Sequence, residues 1–301
     1  MNFEEFTKEI EKEVRKRTGL KISICENRKN NNVKLVGIVI GEERRNIAPV
    51  IYLETYYESY KEGMGIESVI EDILDFYETI KIDREFKPDS IFDYDSIKSR
   101  IIFCIINTKK NAELLKEIPH REIEDLSIVY KILLEKSEVG DAVIRITNKF
   151  LENWKVNEED LWTVSEENTK RIFPAEFFTM TSALTELMGM GRKATENLLT
   201  DKKTGTRDRM YILSNKMRSE GAACLAYPGI LETIAGILHR NYYILPSSIH
   251  ELIVMPDWGE LEVKEINKMI KDINKHEVDR DDVLSDHCYK YLVREKKLII
   301  P

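Results

Sequence analysis

The chain has 301 residues, 42% of them hydrophobic and 33% charged, the balance expected of a soluble globular protein with charge on the high side. It carries 46 basic and 54 acidic residues, for a net charge of −8 and a pI near 5.4. No window concentrates Lys and Arg without matching Glu or Asp, which argues against duplex nucleic acid as a partner, and no run approaches the roughly 20 apolar residues of a membrane span.

The length suits one large domain or two ordinary ones, with a core that needs no staples. The opening "MNFEEFTKEIEKEV" is acidic and amphipathic, unlike a signal peptide. Phe3, Phe6, Ile10 and Val14 recur at helical spacing and Gly19 stands where a C-cap belongs, so a helix is expected over 3–18. "LKISICE" and "VKLVGIVIG", joined by the turn chemistry of "ENRKNNN", predict a hairpin, and "APVIYL" a further short strand. "ETYYESYKEG" reads as a short helix ending at Gly63. A longer helix over 66–82 buries a stripe that includes Ile66, Val69, Ile70, Ile73 and Tyr77. Tyr56, Tyr57 and Tyr60 sit at helical spacing and read as a packed edge, not a platform for stacked bases, which normally comes with a basic surround.

Residues 84–96, "REFKPDSIFDYDS", interrupt the pattern. They place the expected boundary between an N-terminal α+β domain, 1–88, and a larger C-terminal α+β domain, 89–301. Beyond it, "SRIIFCIIN" is a buried strand by its continuous apolar run. "EDLSIVYKILLE" and "GDAVIRITN" are further strands, with Gly140 and Asp141 near the turn between them, and "NEEDLWTVSEENTKRIF" is a helix. "EFFTMTSALTELMGMG" is expected to be helical throughout, ending at Gly189 and Gly191. "MYILSNK" and "GAACLAYP" are expected to form a hairpin around "MRSEG". Pro228 sits at the favoured start of the helix "GILETIAGILHR". "YYIL" and "LIVM" are strands, and a last amphipathic helix over 260–274 turns Leu261, Ile266, Met269, Ile270 and Ile273 inward. Helices mixed with antiparallel hairpins, without strict alternation, define an α+β protein of two domains.

The four cysteines, Cys25, Cys104, Cys224 and Cys288, form no CxxC pair, so reduced thiols are expected rather than disulfides or zinc ligands. Among His120, His239, His250, His276 and His287 no HxH or HExxH spacing occurs, and no metal or other cofactor is expected. The acidic run 279–286 lacks the glycine and terminal Glu of a calcium loop. Gly189, Gly191 and Lys193 lack both the preceding strand and the spacing of a phosphate-cradling loop.

Chemistry-bearing residues concentrate in "NYYILPSSIHELIVMPD", where Ser247, Ser248, His250 and Glu251 sit together. Ser248-x-x-Glu251 has the form of a capping box, in which the hydroxyl and the carboxylate each take the other residue's N–H. The rival reading is catalytic, with Ser247 or Ser248 as nucleophile, His250 as base and Glu251 beside them. No G-x-S-x-G elbow is present and His250 lies very near in sequence, so the turn is the preferred reading.

The phrases "APVIYLETYYESYKEG", "PHREIEDLSIVYKILL", "ITNKFLENWKVNEEDLWTVSEENT", "GAACLAYPGILETIA", "YYILPSSIHELIVMPD" and "VLSDHCYKY" occur in that order. Together they resemble an uncharacterised family, a domain of unknown function, of intracellular proteins from gut Gram-positive anaerobes. The middle phrases also look like a second bacterial family of unknown function. The resemblance spans nearly the whole chain and implies a cytoplasmic bacterial protein, with a mobile element as one source. It carries no catalytic residue over. The expected function is a soluble intracellular binding or regulatory protein whose partner is a protein or a small molecule. The alternatives are a small-molecule hydrolase or transferase using the 247–251 turn, and an acidic inhibitor of a nucleic-acid-binding protein.

Overall fold

The computed structural model describes residues 1–41, 48–81, 91–136, 141–188, 196–200, 208–246, 248–260 and 262–301. Gly140, Gly189, Gly191, Lys193, Ser247 and Leu261, all named above, lie outside the described residues, as does the expected domain boundary at 88/89. The chain divides into two compact units, one of residues 1–97 and 133–143, the other of 98–132 and 144–301.

The first unit opens with the helix Phe3–Thr18. Asn2 takes the Glu5 N–H at 2.9 Å while the Glu5 carboxylate takes the Asn2 N–H at 3.0 Å, a reciprocal cap. The helix stops at Gly19, whose φ of +67° a residue with a Cβ adopts only with strain. Strands β1 (Lys21–Arg28) and β2 (Lys34–Gly41) form the expected hairpin, and β3 (Val50–Tyr52) pairs with β2 in the order β1-β2-β3. Helices Glu54–Lys61 and Ile66–Ile80 follow. Phe6, Ile10 and Val14 meet Ile38, Ile40, Ile51, Ile70 and Ile73 in one buried cluster. Tyr57 and Tyr60 pack on Phe6 at ring separations of 5.2 and 5.5 Å, so these tyrosines are the edge of a core.

A sheet of β4 (Ile101–Asn107), β5 (His120–Ile123), β6 (Leu126–Glu135) and β7 (Ala142–Arg145), with β6 between β4 and β5 and also pairing with β7, falls in the second unit apart from residues 133–135 and 142–143, which belong to the first. Every residue of β4 is buried, as its unbroken apolar run requires. The helix Glu158–Ile172 lies against it, and the polar groups it brings inward are satisfied. Asn168 donates to the Lys98 and Ile101 carbonyls, and Thr169 Oγ1 accepts the Phe103 N–H.

A second sheet in this unit runs β13-β12-β10-β11-β9-β8. Its strands are β8 (Ala175–Thr179), β9 (Tyr211–Asn215), β10 (Tyr242–Leu245), β11 (Leu252–Pro256), β12 (Tyr289–Leu292) and β13 (Lys297–Ile299). The helix Val263–His276 packs Ile266 and Ile270 on Tyr243, Leu245 and Met255 of this sheet. The described strand registers are antiparallel in both units, and the protein is α+β.

Two local expectations are corrected. Residues 175–179 are a strand, and the helix begins only at Met180, because Thr179 caps it by accepting the Ser182 N–H while Phe177 and Phe178 are buried in the sheet. "GAACLA" is a 3-10 helix, Gly221–Ala226, not a strand: both edges of β9 are already taken, by β8 and β11. Its small side chains suit a backbone packed tightly on its neighbours. A Cβ at Gly221 would stand 2.0 Å from Ser214 Oγ and 2.4 Å from the His250 carbonyl oxygen. Among the described residues no helix is long and apolar enough to cross a membrane.

Candidate functional site

The stretch before β11 is not a helical turn. Ser248 Oγ accepts the His250 N–H at 3.0 Å, and the Ser248 N–H donates to the Glu251 carbonyl at 3.3 Å. That is a serine turn spanning two residues, and it replaces the expected capping box. The cause lies in the neighbours. The Ile249 N–H donates to the Asp282 carbonyl at 2.8 Å, and the Ile249 carbonyl takes the Ala222 N–H at 3.0 Å. Ser214 Oγ donates to the His250 carbonyl at 2.7 Å. With its main chain tied to three other segments, the stretch has no groups left for helical bonds.

The His250 ring is held in the same way. The Glu220 N–H donates to Nδ1 at 3.1 Å, and Nε2 lies 3.2 Å from the Asp282 carboxylate. Nδ1 must therefore be the bare nitrogen and Nε2 the one that carries hydrogen. The Asp282 hydrogen bond raises the histidine pKa above its ordinary value, with burial opposing. Glu220 has φ +49°, and Asn215 braces the turn before it by bonding the Met217 N–H and the Ser219 carbonyl. The Glu220 carboxylate pairs with Lys131 of β6. Glu251 is partly buried beside the turn, and its charge adds to the upward pull on His250. Of the candidate catalytic residues, His250 and Glu251 are thus neighbours in space, and Ser247 is outside the described residues.

A second histidine–aspartate pair joins β12 to the β5–β6 turn. His287 Nε2 lies 2.9 Å from Asp125 Oδ2, and Nδ1 lies 3.1 Å from the Cys288 carbonyl oxygen. Both ring nitrogens thus face acceptor oxygens, an arrangement that favours the doubly protonated ring. Tyr289 donates to Asp125 Oδ1 at 2.6 Å. Burial works against the Asp125 charge, but the His287 and Tyr289 donors hold its carboxyl below the usual range. The His287 pKa is raised, first by the hydrogen bond to Asp125. These residues lie 162 positions apart, so no spacing rule on the sequence could have joined them. Among the described residues no three His, Cys, Asp or Glu side chains converge as a metal site.

A family model described as a family of unknown function, DUF5688, matches residues 3–292. No curated protein matches the chain, and no solved structure matches it.

Proposed function

The chain belongs to the DUF5688 family of unknown function, and we propose that it acts as a soluble intracellular binding or regulatory protein in which the 248–251 stretch is a structural joint. One observation carries this reading: both ring nitrogens of His250 are committed, Nδ1 to the Glu220 N–H and Nε2 to Asp282. A general base must offer a bare nitrogen to the proton it removes. The only bare nitrogen here is occupied by a main-chain donor, and the Ser248 hydroxyl is bonded to the His250 main chain rather than to its ring.

The thiols fit a reducing, cytoplasmic setting. All four cysteines are free, and burial pushes Cys104 up to about 11 and Cys224 up to about 12, so both are neutral thiols at physiological pH. The test is a thermal-shift screen of small molecules, run with generic ester and phosphoester turnover assays, on the wild type and on His250→Gln. Ligand-induced shifts that persist in a folded His250→Gln protein, with no turnover by either, are the expected result. Turnover by the wild type that disappears in the folded variant would refute the proposal.

A further inference from the structure

The helix Val263–His276 does not close completely on its sheet: an apolar cavity of about 120 Å³ remains beneath it. Leu245 of β10, Ile253 of β11 and Met210 form the sheet side, and Ile270 forms the roof. Met269 and Ile273, each 37% exposed, stand at its mouth. Among the described residues Asn274 is the one polar side chain in the wall. Its Nδ2 donates to the Ser285 carbonyl at 2.9 Å and to Asp286 Oδ1 at 3.0 Å, two pure acceptors that fix the amide's orientation. Its Oδ1 is sealed within the protein and meets no donor. The donors of Asn274 are therefore spent and its acceptor is sealed, so among the described side chains of the wall none offers a hydrogen bond.

We propose that this cavity is a binding site for a small, uncharged, apolar molecule about the size of a benzene ring. The inference rests on the binding reading above and gives it a location. The volume sets the size. Aliphatic cavities of on the order of 150 Å³ stay dry and take up benzene, whereas drug-sized ligands occupy roughly 300 to 1,000 Å³. The lining sets the polarity, because a hydroxyl or charge taken inside would lose its water with nothing in exchange. The two methionines supply the adaptability, since an unbranched thioether re-packs around a guest at little cost.

The test titrates benzene, phenol and benzoate into the full chain while methyl resonances of Ile253, Ile270, Met210 and Met269 are followed by NMR. Benzene should shift all four saturably, phenol should bind about fivefold more weakly or worse, and benzoate should leave them unmoved. Ile253→Phe, which fills the cavity, should abolish the benzene shifts. Met269→Phe, at the exposed mouth, should do the same and carries the test should the first variant not fold. Absence of saturable shifts up to the solubility limit of benzene, equal affinity for benzoate, or unchanged binding in a folded Met269→Phe protein would overturn the proposal. Such a failure is distinct from failure of the binding reading, which is decided by turnover in the wild type and its loss in His250→Gln.

Discussion

At His287 the nitrogen Nδ1 faces a carbonyl oxygen; at His250 it faces an N–H. Each ring has an aspartate on Nε2, at 2.9 Å for His287 and 3.2 Å for His250. The composition of the two pairs is the same, yet their proton chemistry is opposite. The His287 ring gains a bond by taking a second proton, and the His250 ring loses one. The main chain distinguishes the two, because a carbonyl at Nδ1 favours a proton there and an N–H opposes it, while the aspartate on Nε2 raises both pKa values. The pairs differ in mounting too. His287 is anchored by the Asp125 side chain, and through it Tyr289, with the Cys288 carbonyl at Nδ1. His250 is mounted on a lattice of main-chain bonds from 220, 222 and 282.

The mounting of His250 is the more vulnerable. Gly221→Ala would drive a Cβ to 2.4 Å from the His250 carbonyl oxygen and 2.8 Å from the Asn215 nitrogen, both backbone atoms that cannot swing aside. We expect a loss of about 3 kcal/mol, at the upper end for overpacking, read from the urea midpoint at constant m-value. The His250 resonances should move while those of His287 stay. An alanine variant as stable as the wild type would show that the close packing at 221 is not what holds this pair.

The ion pair breaks differently. Asp125→Ala removes the carboxylate from both the His287 ring and the Tyr289 hydroxyl, and should cost about 2 kcal/mol at pH 6, a value for hydrogen bonds to charged groups reduced for partial exposure. A raised folded-state pKa means that the histidine's contribution is whole below its ordinary value of about 6.5 and is lost as pH rises through the raised one. The lowered pKa of Asp125 adds the opposite limb, a contribution lost in acid as pH falls below the ordinary 3.8 and through the lowered value. The gap between wild type and Asp125→Ala should therefore be widest near pH 6 and shrink toward pH 9, where the Tyr289 bond keeps it above zero. The same reasoning orders the two histidines. Both are raised, but protonating His250 sacrifices its bond from Glu220, so His287 should titrate at the higher pH by NMR. The reverse order would contradict the donor assignments at both rings.

Much of the frame was legible beforehand, because periodicity reports burial directly. Phe6, Ile10 and Val14 declare one helix, and the unbroken run of β4 declares a central strand. The errors fall where a short apolar run suits either state. At 175–179 the aromatic pair belongs to a sheet, and only the cap at Thr179 marks where the helix starts. At 221–226 the small residues answer a close approach that exists only once β9 and His250 are in place. The strands β12 and β13 went unforeseen, and with them the setting of His287. The cluster around His250 was found because its residues adjoin in sequence. Its partners Glu220 and Asp282 come from elsewhere in the chain, and they are what supports the proposed reading of a joint.

Within that joint the serine turn should contribute modestly. Ser248→Ala removes the acceptor of the His250 N–H at a partly exposed site, and should lower stability by about 1 kcal/mol, the usual net value of one hydrogen bond. Since that bond fixes the main chain that carries the ring, the His250 resonances should broaden or shift as well. A full loss of stability with an unmoved ring would place the serine's role elsewhere.

Glu251 should matter least, and its silence separates the serine turn from a capping box. In a box the carboxylate would bind the Ser248 N–H, and its loss would be felt at the start of β11. Here that N–H is satisfied by the Glu251 carbonyl, which every side chain at 251 retains. Glu251→Gln should therefore stay within about 0.5 kcal/mol of wild type, as a change that removes no bond does. The one expected trace is electrostatic. The negative charge of Glu251 adds to the upward pull on His250, so the variant's His250 should titrate slightly lower, with His287 unchanged. A loss near 1 kcal/mol would restore the carboxylate to a structural part in the turn, and an unshifted His250 would place its charge too far from the ring to act.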